Sequence, residues 1–206
     1  MPTGTINKIA SIAGVSIQST ISRTGTGQIG HEVGLPAGKA GSLTTRTGDG
    51  QGEVTGLPTG HGLVASDVVD IHWAGDSPGC RYSVTIDTAG ANNVTFDDTP
   101  AAGGDVLPAQ GTAVVVTKQV TIDTDFDGDL VTLIVVSADK AAHVQFRTVT
   151  PTVLKAQRLV ANEGWDWASG QGNNPLSGNP VDHVKATNGD GAADATLKIG
   201  VLYASA

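Results

Sequence analysis

The segment Arg81-Tyr-Ser-Val-Thr-Ile-Asp87 decides the fold class, because apolar and polar residues alternate along its whole length. Alternation with a period of two is the pattern of a β-strand with one buried face. The preceding segment Val69-Asp-Ile-His-Trp73 repeats this pattern, so it predicts a neighbouring strand. After the first segment, Asn92-Asn93 predicts a turn, and Val94 and Phe96 begin a returning strand.

The rest of the chain extends the strand pattern. Residues 113–122, 143–149 and 196–203 are rich in Val, Ile and Thr, which favour a pleated surface. The run Leu130-Val-Thr-Leu-Ile-Val-Val136 is apolar on both faces, as expected of a central strand covered on both sides. Helical spacing occurs in 152–162, where a strand fits equally well. We therefore predict an all-β protein: a β-sandwich or barrel-like unit with an inserted small β-barrel and at most one short helix.

The strand pattern also predicts a discontinuous organisation. Residues 42–117 contain five short predicted strands joined by turns, enough for a small β-barrel. Residues 1–41 and 118–206 have too few strands to stand alone, so we expect them to form one β-sandwich unit around the inserted barrel. The first flank carries a glycine-rich arm, residues 24–41, with little apolar periodicity. Such an arm orders most easily by lying on a neighbour or by adding a strand to its sheet.

Composition limits the classes of partner. The 206 residues carry a net charge of −8, and an acidic surface disfavours binding to nucleic acid and to anionic lipid. No apolar run approaches the ~20 residues of a membrane-spanning helix. The single cysteine, Cys80, excludes an internal disulfide and a cysteine-based zinc cluster. We expect an intracellular protein without direct nucleic acid or membrane binding.

One acidic segment resembles the start of a calcium loop. Asp123, Asp125 and Asp127 stand at the first, third and fifth positions, and Gly128 stands at the sixth. The twelfth position should be a bidentate glutamate, but it is Ile134, within the most apolar predicted strand. An acidic turn between two strands is therefore the favoured interpretation, and a calcium site completed by other loops is the alternative.

The remaining motifs do not predict catalysis. The five histidines follow no zinc-site spacing, and no grouping of Ser, His and Asp with triad-like order is visible. His72 and His143 fall on the polar faces of predicted strands, which is their simplest explanation. We therefore expect no cofactor and no enzymatic activity.

The segment Trp165-Asp-Trp167 is unusual in a chain with 4% aromatic residues. If the segment is extended, both rings point to the same side. Three roles remain open for them: packing on their own domain, anchoring a contact between chains, or stacking on a sugar. The glycine-rich surroundings favour a surface role, so we predict an interface at Trp165 and Trp167.

In general style the chain resembles structural proteins of bacteriophage particles. The resemblance lies in the glycine-rich arm 24–41, the small barrel around 62–87 and the C-terminal strand 195–203 of an acidic, cysteine-poor chain. It implies a tail tube, head–tail connector or capsid decoration protein, assembled in the host cytoplasm into the virion. The implied partners are copies of the chain itself, in a homo-oligomer, and other virion proteins. The alternative function is a glycan- or receptor-binding β module that uses Trp165 and Trp167.

Overall fold

The computed structural model describes residues 3–12, 15–24, 27–75, 77–97, 103–149 and 152–204, with the backbone alone between 4 and 24. Its strands, in chain order, are β1 (Thr3–Ile12), β2 (Val15–Thr24), β3 (Gly27–Leu35), β4 (Lys39–Arg46), β5 (Gly52–Thr55), β6 (Val68–Trp73), β7 (Gly79–Ala89), β8 (Asn93–Asp97), β9 (Gly103–Gly104), β10 (Ala113–Lys118), β11 (Val120–Asp127), β12 (Val131–Ala138), β13 (Ala142–Arg147), β14 (Val153–Leu159), β15 (Gly164–Ala168), β16 (Pro180–Asn188) and β17 (Ala195–Tyr203). A 3-10 turn at Gly128–Leu130 is the only helical element in these ranges. The protein is all-β, as predicted, and no helix in the described part of the chain is long and apolar enough to cross a membrane.

Six strands close a small β-barrel in the order β6-β10-β4-β5-β8-β7, and β7 pairs again with β6. The prediction of five strands was wrong by one, because β4 has a single buried residue, Leu43, and shows no alternation of apolar and polar residues. The barrel interior is filled by fourteen buried side chains: Leu43, Val54, Leu57, Leu63, Val69, Ile71, Trp73, Val84, Ile86, Val94, Phe96, Leu107, Val114 and Val116.

Strand β3 and the seven strands after the barrel form two four-stranded sheets, β11-β16-β13-β14 and β15-β12-β17-β3, which enclose one apolar core. The glycine-rich arm supplies β3, which pairs with β17 of the same chain from Gly27 to Leu35. The ambiguous segment 152–162 forms the strand β14. The apolar run predicted to be a central strand is β12, which lies between β15 and β17. That barrel and sandwich fold as separate domains remains a prediction.

The first two strands form a separate two-stranded sheet. β1 and β2 pair antiparallel in full register, from Thr3 opposite Thr24 to Ile12 opposite Val15. Together β1 and β2 make up the N-terminal hairpin.

Candidate functional site at the junction of barrel and sandwich

The contact between barrel and sandwich is organised around the carboxylate of Asp70, which is 0% exposed. Val69 and Ile71 point into the barrel core, so Asp70 between them faces out, towards the sandwich. The β6–β7 register shifts beside Asp70, and Ser83 of β7 adopts a left-handed conformation with φ of +59°. This bulge directs the Ser83 N–H onto Asp70 Oδ1, at 2.9 Å. The bulge therefore provides the buried Asp70 carboxylate with a backbone hydrogen-bond donor.

The sandwich bonds the other oxygen of the same carboxylate. His143 Nδ1 of β13 lies 3.0 Å from Asp70 Oδ2, and Thr187 Oγ1 of β16 donates to Oδ2 at 2.7 Å. Because an ionised carboxylate only accepts hydrogen bonds, Nδ1 of His143 carries the proton in this contact. The His143 ring also stacks on Tyr82 of the barrel, with centroids 4.8 Å apart. One carboxylate thus joins both units.

A second group of bonds lies beside the first, around Ser83. Its hydroxyl accepts from Arg147 at 2.6 Å and donates to Gln145 Oε1 at 3.2 Å. Gln119, after the last barrel strand, donates to Ser83 Oγ at 3.1 Å and to Asp70 Oδ1 at 2.7 Å. Arg147 is 4% exposed and Gln145 is 0% exposed, so this group is removed from water. Buried polar groups of this kind are costly unless bonded, and these are bonded to each other except for Gln119 Oε1, which has no hydrogen-bond partner among the described residues.

Electrostatics keep Asp70 ionised. Burial alone would raise the pKa of Asp70, but the hydrogen bond and charge interaction with His143 and the Ser83 N–H lower it below the usual value. Burial lowers the pKa of the Arg147 guanidinium, while the charge of Asp70 opposes this effect.

His72 lies two residues after Asp70 on the same outer face, and it is neutral. Burial is the main cause that lowers the pKa of His72 to about 4. Its Nε2 lies 3.0 Å from Thr187 Oγ1, whose own proton is given to Asp70. Nε2 therefore donates, and Nδ1 carries the free lone pair. The ring also lines a cavity of about 240 Å³ between barrel and sandwich, together with Arg158 and Gly189.

Cys80 completes a set of potential metal ligands. It lies directly opposite His72 on the paired strand β7 and is 3% exposed. Burial raises the pKa of the Cys80 thiol well above its usual value. Ligand atoms of Asp70, His72 and Cys80 all lie within 4.8 Å of one another, and within the described ranges this is the one set of three or more His, Cys, Asp or Glu residues that does so.

The hydroxyl groups at the junction are not arranged as nucleophiles. The Thr187 hydroxyl donates to the Asp70 carboxylate, which is a base, but Thr187 is 0% exposed and a substrate cannot reach it. The Ser83 hydroxyl bonds Gln145 and Arg147, neither of which is a general base. The arrangement favours structure or metal binding over acyl transfer.

The predicted calcium ligands lie elsewhere, on the exposed side of β11. Asp123, Asp125 and Asp127 are all exposed. The strand continues through Asp127, so the predicted turn is confined to the 3-10 turn at Gly128–Leu130. The Asp127 side chain accepts the N–H of Asp129 at 2.9 Å and so begins that turn. Calcium binding by the three aspartates remains an untested prediction.

The two predicted interface tryptophans lie on β15 and pack against the sandwich core of their own chain. Trp167 is 9% exposed, and Trp165 is half-buried. The Trp165 ring packs on Phe146 at 6.3 Å between centroids, and Lys155 Nζ lies 5.4 Å above its face. Both rings point to one side, as the extended segment predicted, and this is the inner side. An interface role for them remains an untested prediction.

Sequence patterns missed the junction. Asp70, His72 and His143 were predicted to be polar-face residues, and they are, but a second unit covers that face. The usable signal was the alternation His143-Val-Gln-Phe-Arg147, whose polar positions carry side chains rich in hydrogen-bonding groups and no Lys or Glu. No known protein family, curated protein or solved structure matches the chain.

Proposed function

We propose that this chain is a structural subunit that assembles into a larger particle through its N-terminal hairpin. The observation that carries the proposal is that the hairpin forms a two-stranded sheet of its own. Each of its strands has one free edge in the described part of the chain. An isolated two-stranded sheet is marginally stable in water, and free strand edges pair readily with another chain.

The register gives the hairpin one apolar face. Residues directly opposite each other in an antiparallel pair lie on the same face. One face carries three apolar pairs, Ile6 with Ile21, Ala10 with Ile17 and Ile12 with Val15, together with two other pairs, Gly4 with Arg23 and Lys8 with Ser19. The pairs on the other face include Thr5 with Ser22, Asn7 with Thr20 and Ser11 with Ser16. Apolar residues gathered on one face of a two-stranded sheet favour association.

The junction suits the same role. A subunit that repeats in a particle must hold its parts in one orientation, and the Asp70 bonds join the barrel to the sandwich without exposure to water. The four outer strands of the two sandwich sheets, β11, β14, β15 and β3, have one partner each among the described strands. These edges offer further sites for strand addition by neighbouring copies.

We further propose that the particle is a bacteriophage virion, on the strength of the sequence resemblance. The glycan-binding alternative receives no support from the placement of Trp167, because a sugar cannot stack on a ring that is 9% exposed.

The test uses the full chain and paired charge substitutions. Ile6→Asp and Ile17→Asp place a charge on the apolar face of the hairpin, whereas Asn7→Asp and Thr20→Asp place it on the polar face as matched controls. Size-exclusion chromatography with light scattering and negative-stain microscopy should show oligomers for the wild type and the controls and monomers for the two isoleucine variants. A wild type that stays monomeric at high concentration, or four variants that behave alike, would refute the proposal.

A further inference from the structure

We propose that Asp70, His72 and Cys80 form a binding site for a transition-metal ion of the zinc type, which goes beyond an assembly role. Their ligand atoms lie within 4.8 Å of one another. Bonds of ~2.0–2.3 Å to a tetrahedral ion place its ligands roughly 3.3–3.8 Å apart, so the three groups need only a small closing movement. The shared face of β6 and the pairing of His72 with Cys80 supply this arrangement without a loop.

The donor atoms select the class of metal. A carboxylate oxygen, an imidazole nitrogen and a thiolate sulfur suit zinc and cobalt(II), whereas calcium and magnesium require oxygen ligands. A site with three protein ligands leaves a fourth position for water. The cavity of about 240 Å³ lined by His72 gives such a water a route from outside.

Charge balance favours a divalent ion at this depth. The residues are 0%, 6% and 3% exposed, so an uncompensated charge there is costly. On binding, the Cys80 thiol loses its proton to solvent, and the thiolate and the Asp70 carboxylate together cancel the two positive charges of the ion. The bound site is therefore neutral, with His72 as its uncharged ligand.

The surrounding bonds orient two of the ligands. Asp70 accepts from Ser83 and Gln119 on Oδ1 and from His143 and Thr187 on Oδ2, so an ion bound to this carboxylate replaces one of these donors while the others orient it. Thr187 bonds both Asp70 and His72. Its hydroxyl must turn away if the ion takes Nε2 of His72, whereas Nδ1 already has a free lone pair.

The single cysteine makes the test specific. Cobalt(II) is titrated into the tag-free full chain, and a sulfur-to-cobalt charge-transfer absorption is measured in the near ultraviolet. Because Cys80 is the only thiol, this absorption reports on this site alone. We expect one cobalt ion per chain with this absorption, its loss when zinc is added, and a melting temperature raised by about 5–10 °C at a free zinc concentration of about one hundred times Kd.

Variants complete the test. Cys80→Ser should abolish the charge-transfer absorption, and His72→Gln should weaken zinc binding about tenfold or more. His31→Gln and Asp125→Asn are matched controls outside the junction and should behave like the wild type. Circular dichroism checks that each variant is folded. If Cys80→Ser does not fold, the sulfur-to-cobalt absorption of the wild type alone tests the proposal. A wild type without the absorption, or with cobalt bound only at carboxylates, would overturn the proposal.

Discussion

Truncation of Trp167 should destabilise the isolated subunit strongly. The ring is 9% exposed and lies on β15 opposite Ile134, which is 0% exposed. A tryptophan buries roughly 200 Å², which at about 25 cal/mol per Å² corresponds to about 5 kcal/mol. Measured truncations of buried aromatic residues cost about 3–5 kcal/mol. For a chain of this length, Trp167→Ala should lower the melting temperature by roughly 6–20 °C.

A milder substitution separates the ring from its polar atom. Trp167 Nε1 is buried and has no hydrogen-bond partner among the described residues. An unpaired buried donor costs about 1–3 kcal/mol. Trp167→Phe removes this donor while keeping an aromatic ring, so the two effects should largely cancel and leave the melting temperature within about 3 °C of the wild type.

The matched control is Trp165, the half-buried ring two residues earlier on the same face. Trp165→Ala loses its contact with Phe146 but less buried area, so we expect about half the effect of Trp167→Ala. Calorimetric melts are recorded on monomeric fractions, and assembly is followed by light scattering. If Trp167→Ala melts within 2 °C of the wild type and yet fails to assemble, the ring acts between chains and the argument from burial is refuted.

Three further predictions concern charged groups. Asp70→Asn removes the anionic acceptor shared by both units, so it should cost about 3–5 kcal/mol of unfolding free energy in chemical denaturation; a cost below 1 kcal/mol would show that the junction bonds contribute little. Burial alone would raise the pKa of Asp67, but its bonds to Lys118 and the Val64 N–H lower this pKa overall. The ionised Asp67 side chain therefore stabilises the folded state at pH values above its unfolded pKa of ~3.9, and this contribution is lost as the pH falls through the lower pKa of the folded state. Asp67→Asn should therefore flatten this part of the acid-unfolding curve, and a curve identical to that of the wild type would contradict the assignment. Chelation of calcium should not change the melting temperature of the wild type or of Asp125→Ala. A shift of several degrees on chelation in the wild type alone would establish the calcium site.

Strand positions could be predicted because alternation is local. Val69, Ile71 and Trp73 were placed on one face from the sequence, and all three lie in the barrel core. Which part of the chain covers the opposite face depends on the fold of the whole chain, not on local alternation. Asp70 and His72 would alternate in the same way whether that face met water or the sandwich, so the pattern of β6 alone could not reveal the junction or bring Cys80 into it.

The bulge at Ser83 shows a second limit. Tyr82 shares a period of two with Val84 and Ile86, so the sequence predicts that the three share a face. The extra residue at the bulge reverses this: Val84 and Ile86 enter the barrel core, while Tyr82 stacks on His143 of the sandwich. The bulge depends on a serine with φ of +59°, which no propensity favours and which the Asp70 carboxylate stabilises.

The barrel is joined to the sandwich by two chain crossings, and both are held next to the junction. At the first crossing, Gly38 donates its N–H to Asp190 O at 2.9 Å, and a Cβ on Gly38 would lie 2.2 Å from Val115. At the second, Thr117 donates to Asn188 O at 2.6 Å. Both crossings and the Thr187–Asp70 bond meet β16 or the loop that follows it, so rotation of the barrel about its connections would break them together. A barrel held at both crossings and at a buried carboxylate between them keeps one orientation relative to the sandwich, and the proposed assembly role requires such a fixed orientation.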